Sequence, residues 1–277
     1  MSTQPVAVTP LERGGVTSMV GRRAADWLPA IAVLIGVLAL WEGLVKGLHV
    51  KRFILPPPDA ILTAFRDNQS TLWHAGWFTF QEALGGFAIG CTLGVLFAVV
   101  VARWELAGIA LMPYAIAANA IPIIAFSPIF NAWFDPLAAT SKMAVAAVLC
   151  FFPVMVNTLR GLTSVRPSQV DLMRSYAAGE LEIFRRVRIP TALPYLFAAL
   201  KVATVLAMIG AIVSDYFGTF GSLGITIKNS VALFDFETAW AAILTASILG
   251  VLMYLAVSGI ERIALRWDPT RQERGTA

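Results

Sequence analysis

Six stretches of about 20 residues, near 27–48, 76–102, 109–134, 137–160, 190–214 and 239–261, are almost wholly apolar. A helix rising about 1.5 Å per residue crosses about 30 Å of hydrocarbon in about 20 residues. A soluble core can bury one such run but not six. Lipid offers no partner to a free backbone group, so a chain of this kind crosses as helices. The short alternating strands of an outer-membrane barrel are absent from the pattern. Hydrophobic residues make up 58% and charged residues only 14%, against about 25% charged in soluble domains. The chain therefore reads as an all-α integral membrane protein with six transmembrane helices.

Arg22 and Arg23 precede the first run, as in a signal peptide. That run is too long for a signal core and no small-residue cleavage site follows it, so it reads as a retained anchor. Residues 1–25 read as a polar, unstructured N-terminal tail, 26–267 as the six-helix domain, and 268–277 as a C-terminal tail. With the N-terminus in the cytoplasm, the inner segments carry 14 arginines and the outer segments and span ends six basic residues, with Lys201 left inside a span. The positive-inside rule then places both termini in the cytoplasm. The basic residues flank spans and form no continuous face, which argues against nucleic acid.

Three outer segments remain. "LPPPDAILTAF" is a proline stop followed by a short amphipathic helix, with Pro58 in its first turn and Asp59 at its positive end. Residues 135–138 read as a tight turn. "FGTFGSLGITIKNSVALF" is glycine-rich and half apolar, as a re-entrant or interfacial segment would be. Cys91 and Cys150 lie in apolar runs and read as small buried hydrophobes. His49 and His74 have no second ligand at a useful spacing, so no metal site is expected.

The polar elbow between the fourth and fifth runs is "VDLMRSYAAGELEIFRRVRIPTALPYL". Pro167 suits the first turn of a helix ending near Ala178, and Gly179 suits a left-handed cap. Glu180 and Glu182 open a second helix, which Pro190 ends. Val170 and Met173 share one face with Ala177; Leu172 and Tyr176 lie beside it. Such an elbow can lie on anionic lipid or seat in the groove of a soluble partner.

The elbow resembles the loop of binding-protein-dependent ABC importer permeases, whose pattern is Glu-Ala-Ala, three residues, Gly, nine residues, Ile-x-Leu-Pro. Val187, Ile189 and Pro190 match its end, and Ala177 holds its glycine position. Asp171, Leu172 and Met173 hold the Glu-Ala-Ala positions. "LPPPDAILTAF" and "TFQEALGGFAIG" resemble the branch that imports nitrate, sulfonates, taurine and pyrimidine precursors. So do "IPIIAFSPIFNAWFD", with Asp135 where glycine is common, and "ALPYLFAALKVATVLAMIGAIVSDYFGTFGSLG". Glu82, where the sulfonate importers have arginine, and the run 175–178 look more like permeases for pyrimidine or flavin vitamin precursors.

The resemblance implies a type I ABC importer permease. Two copies would form the pore, with ATP-binding cassette ATPase subunits below and a periplasmic or lipid-anchored solute-binding protein above. Asp171, Leu172, Met173, Arg174, Ser175, Tyr176, Ala177, Ala178 and Gly179 would form the ATPase-coupling surface. The chain has no Gly-x-x-x-x-Gly-Lys-Ser/Thr loop, so ATP would be bound and hydrolysed by a separate chain and no cofactor is expected here.

A charge at the bilayer centre costs about 2.5–3.5 kcal/mol on insertion scales, so a charged residue in a span marks a cavity, a partner or an interface. Asn119 sits in its run among Pro113, Pro122 and Pro128, as in the broken helices around transport paths. With Glu82, Lys201 and Asp215 it forms the candidate translocation path. Three have a plainer reading: an interhelical hydrogen bond for Asn119, an interfacial position for Glu82, and snorkelling for Lys201, which otherwise could pair with Glu82 or Asp215. Asp215 reads as lying where the fifth span leaves the membrane, near the outer gate. Gly85, Gly86, Gly90 and Gly94 suit close helix packing. An ATP-independent secondary transporter or channel is the main alternative. The elbow and the lack of paired intramembrane carboxylates argue against it. An intramembrane enzyme would need a catalytic set that the histidines do not supply.

Overall fold

A computed structural model describes residues 16–104, 123–218 and 220–266, with isolated positions at 110, 113 and 117. Among the described residues there is no strand. The helices are α1 (Val16–Gly47), α2 (Pro58–Asp67), α3 (Gln69–Ala102), α4 (Ser127–Phe134), α5 (Ala139–Thr163) and α6 (Pro167–Ser175). They continue as α7 (Glu180–Ile183), α8 (Ile189–Asp215), α9 (Leu223–Ala232) and α10 (Phe236–Ala264). A 3₁₀ turn over Ile123–Phe126 leads into α4, where Pro128 occupies the first turn.

The chain divides into two compact units, residues 1–60 and 61–277. In the first, α1 carries the first apolar run. It begins at Val16, inside the tail expected to lack structure, because helical backbone persists through the polar residues before the run. At its end Lys46 bridges Glu42 at 2.6 Å and Asp59 at 2.8 Å. The Lys46 ammonium holds the Asp59 carboxyl below the usual carboxylate range.

In the second unit α5 packs against both α3 and α8, and α10 packs on α8 and α9. Small residues make these approaches possible. A Cβ on Gly94 would lie 2.8 Å from the Phe151 carbonyl, and one on Gly210 2.8 Å from the Cα of Ala146. Cβ atoms on Gly86 and Gly90 would run into Ala146 and Ala147. Helices in lipid gain little from burying apolar surface against one another, so backbone approach of this kind does the work of association. Cys91 and Cys150 are free thiols in the same core.

The surface is inside out relative to a soluble protein. Leu93, Leu96, Val251 and Leu255 are more than half exposed, while Thr79, Glu82, Lys142, Thr204 and Asp215 are buried. Among the searched residues four helical stretches are long and apolar enough to cross a membrane: 69–102, 139–163, 180–215 and 236–264. The first and third extend beyond the apolar runs. The 69–102 helix absorbs part of the expected outer segment, and the 180–215 stretch absorbs part of the elbow.

Candidate functional site

One end of the second unit gathers the starts of α3, α5 and α9 and the end of α8. There the Thr79 hydroxyl donates to Asp215 Oδ2 at 2.9 Å and accepts the Leu223 amide at 3.0 Å. The Ser222 hydroxyl and the Gly224 backbone also lie against Asp215. Gly224 permits this because a side chain there would collide with Asp215 itself. Ser222 caps α9 by accepting the Ile225 amide at 3.4 Å. The Leu223 and Ile225 amides in the first turn of α9 are thus satisfied by side chains, and a carboxylate sits at the positive end of its dipole.

Glu82 lies one turn beyond Thr79 and is 1% exposed, with its carboxyl against that of Asp215. Among the described residues no side-chain donor or amide hydrogen-bonds to either Glu82 oxygen. Lys142, fully buried, donates to the carbonyls of Pro136 and Gly218, and so ties the 135–138 turn to the loop after α8. Its charge faces Glu82, Asp215 and Asp135. Ser127 and Ser214 share a hydrogen bond of 3.1 Å beside the cluster.

Glu82 and Asp215 are therefore neighbours, which corrects the expectation that the spans lack paired carboxylates. The two are 133 positions apart, and only the packing of α3 on α8 brings them together. Lys201 joins neither. Its nearest carboxylate is Glu261 of α10, at 3.0 Å, toward the other end of the unit. Asn119 lies outside the described residues. In the same proline-rich stretch Asn131 is 4% exposed, and its amide atoms have no hydrogen-bond partner among the described residues.

Sequence reasoning passed over Thr79, Lys142, Ser222 and Asn131. Thr79 was legible as a polar residue three positions before Glu82, on the same helical face. Ser222 was legible as a cap before an apolar run. Nothing in the sequence marked Lys142 as other than a span-end charge.

The elbow occupies the opposite end. α6 stops at Ser175, and the Ala177 amide donates to Arg174 O at 2.9 Å and the Ala178 amide to Met173 O at 3.1 Å. This is a Schellman closure, and its left-handed residue is Ala177, at φ 59°. Gly179, expected to take that role, is extended at φ −73° and instead precedes α7. The physical reason is the register: the left-handed residue must directly follow the cap, and the cap is Tyr176.

Asp135, the other departure from the glycines of the resembled pattern, also has positive φ, at 70°. Its side chain compensates by accepting the Leu137 amide at 2.9 Å.

Pro190 does not end the elbow. α7 runs through a π-turn over Phe184–Arg188 directly into α8. A proline lacks the amide that Arg186 O needs and its ring crowds that carbonyl; widening the turn relieves both. Ile183 is fully buried and pins the elbow, and Arg174–Glu180 at 2.9 Å and Arg186–Glu182 at 3.2 Å brace it. Leu172, Tyr176 and Leu181 point outward, and no residue of α6 is buried. Asp171, Ser175 and Arg174 are exposed on the same short helix, while Met173 and Ala178 are half-buried.

Residues 90–265 match the family model described as binding-protein-dependent transport system inner membrane component. The chain is 30% identical over 247 residues to the formylaminopyrimidine transport permease protein ThiX of Halalkalibacterium halodurans, covering 89% of this chain and 98% of that protein. It is 29% identical over 248 residues to the riboflavin transport system permease protein RibX of Chloroflexus aurantiacus, covering 88% and 92%. In fold it is similar to a chain of an amino acid ABC transporter, with a TM-score of 0.56 at 16% identity. That match covers 74% of this chain and 97% of the other.

Proposed function

This chain belongs to the family of binding-protein-dependent transport system inner membrane components, and from that premise we propose how it works. It is a multi-pass permease of the bacterial inner membrane and a subunit of an ABC importer for a small solute, not itself an enzyme. Its cargo is a small organic molecule of the pyrimidine- or flavin-precursor kind, as the names of the two relatives suggest; a sulfonate- or nitrate-like solute is the next choice.

The single observation that carries the mechanism is the continuity of the elbow with α8. A displacement of Leu172 and Tyr176 has a stiff, braced path into a helix whose far end holds Asp215. ATPase subunits dock on residues 171–179 in the cytoplasm, and closing of their dimer is passed along α8. Six spans, with both termini cytoplasmic, make up residues 26–267 between the tails 1–25 and 268–277. A second copy completes the pore, a solute-binding protein delivers cargo from outside, and lipid surrounds the apolar faces. Asn119, Glu82, Asp215 and Lys201 lie on or beside the path. At its outer end the bonds of Thr79, Asp215 and Lys142 hold the helix ends together.

The test is uptake of radiolabelled formylaminopyrimidine and riboflavin into vesicles holding the permease with its ATPase and binding protein. ATP-dependent accumulation supports the proposal; none of either solute, with ATPase activity present, counts against the cargo class. The buried Glu82–Asp215 pair favours one second reading, a secondary transporter. Uptake driven by a proton gradient in vesicles without the ATPase would establish that reading instead.

A further inference from the structure

We infer that the Lys201–Glu261 ion pair is a positioning device that fastens the elbow-bearing helix α8 to the last helix α10, so that a push on the elbow moves both together. This inference rests on the coupling role proposed for the elbow.

Lys201 Nζ lies 3.0 and 3.2 Å from the two oxygens of Glu261, which is 5% exposed. By contrast, the pairs of Lys46 with Glu42 and Asp59 and the two braces of the elbow have exposed side chains on at least one partner. Lys201–Glu261 is largely buried and joins two apolar helices 60 positions apart. Two charges taken from water attract each other strongly, and reversing one of them sets like charges face to face.

Its position matters as much as its strength. Lys201 is 12 residues from the start of α8, about 18 Å along the axis. The pair therefore grips α8 between the elbow and Asp215, not at either end. Next to it Phe197, Val257 and Leu265 pack together with Leu193, Leu200 and Ala264. That apolar contact aligns the helices but allows them to slide; the ion pair sets their register. Polar contacts between helices in lipid play this registering part elsewhere too.

The test uses the full complex of permease, ATPase and binding protein in vesicles, with solute imported per ATP hydrolysed as the readout. Lys201→Glu and Glu261→Lys each keep ATP hydrolysis but lower that ratio by roughly five- to a hundredfold, the usual span of coupling between sites. The double exchange Lys201→Glu with Glu261→Lys restores the ratio to within about threefold of the parent. Single variants with the parent ratio, or a double exchange as uncoupled as the singles, overturn the inference. Should the single variants fail to assemble, the neutral double variant Lys201→Gln with Glu261→Gln decides: a lowered ratio supports the inference and a parent ratio overturns it. Absence of ATP-driven uptake in the parent complex would instead remove the functional reading on which it rests.

Discussion

The hydroxyl of Thr79 joins Asp215 across 136 positions of sequence, 2.9 Å away, while also receiving the first amide of α9. One oxygen thus ties α3, α8 and α9. Thr79→Val keeps the shape and removes both bonds, leaving a buried carboxylate and a buried amide each short of a partner. Orphaned groups of this kind cost about 1–3 kcal/mol apiece. The variant should unfold at clearly lower temperature in detergent, with Thr79→Ser close to the parent. Equal melting of Thr79→Val and the parent would show that the cluster contributes little.

Ala177 carries the left-handed turn that closes α6. An L-residue other than glycine is penalised there by about 1–2 kcal/mol, and glycine returns about 0.5–1 kcal/mol of that through its freer unfolded chain. Ala177→Gly should stabilise the elbow by up to about 1 kcal/mol. Hydrogen exchange over residues 167–189 should slow by about two- to fivefold, since about 1.4 kcal/mol is tenfold. Ala177→Val should do the reverse, because a branched Cβ tolerates that backbone least.

The helices at 58–67, 139–163 and 236–264 were legible because period, proline stops and apolar length all act locally. Close packing at Gly86, Gly90 and Gly94 was legible for the same reason: four-residue spacing puts them on one stripe. The partner of Lys201 was not, since three carboxylates were available and only the packing of α8 on α10 selects Glu261. The pairing of Glu82 with Asp215 was hidden likewise. The elbow's turn was misplaced by two residues. Glycine at 179 satisfies the rule for a left-handed cap, but the hydrogen bonds of Met173 and Arg174 fix where the turn falls. Pro190 reads as a stop, and a single widened turn carried the helix through it.

Gly90 faces the backbone of Ala147 so closely that no Cβ fits between them. A flexible side-chain tip could move aside; a helix backbone cannot. Gly90→Leu should therefore separate α3 from α5 and abolish recovery of monodisperse protein on size exclusion. Gly259, with open space around it, is the control. Gly259→Ala should be neutral or stabilise by about 0.4–1 kcal/mol. Normal recovery of Gly90→Leu would mean that α3 and α5 can repack apart.

Leu172 and Tyr176 are 58% and 78% exposed on a helix with no buried residue. Large apolar side chains so placed contribute little to the chain's own stability, where surface changes stay within about 0.5 kcal/mol. They are well suited to fill a partner's pocket, where a buried tyrosine can contribute about 2 kcal/mol or more. Tyr176→Asp and Leu172→Asp should leave the melting temperature of the isolated permease unchanged. Each should reduce co-purification of the ATPase by about tenfold or more, since about 1.4 kcal/mol of binding is tenfold in affinity. A variant that melts like the parent and still retains its ATPase would exclude this face from the docking surface.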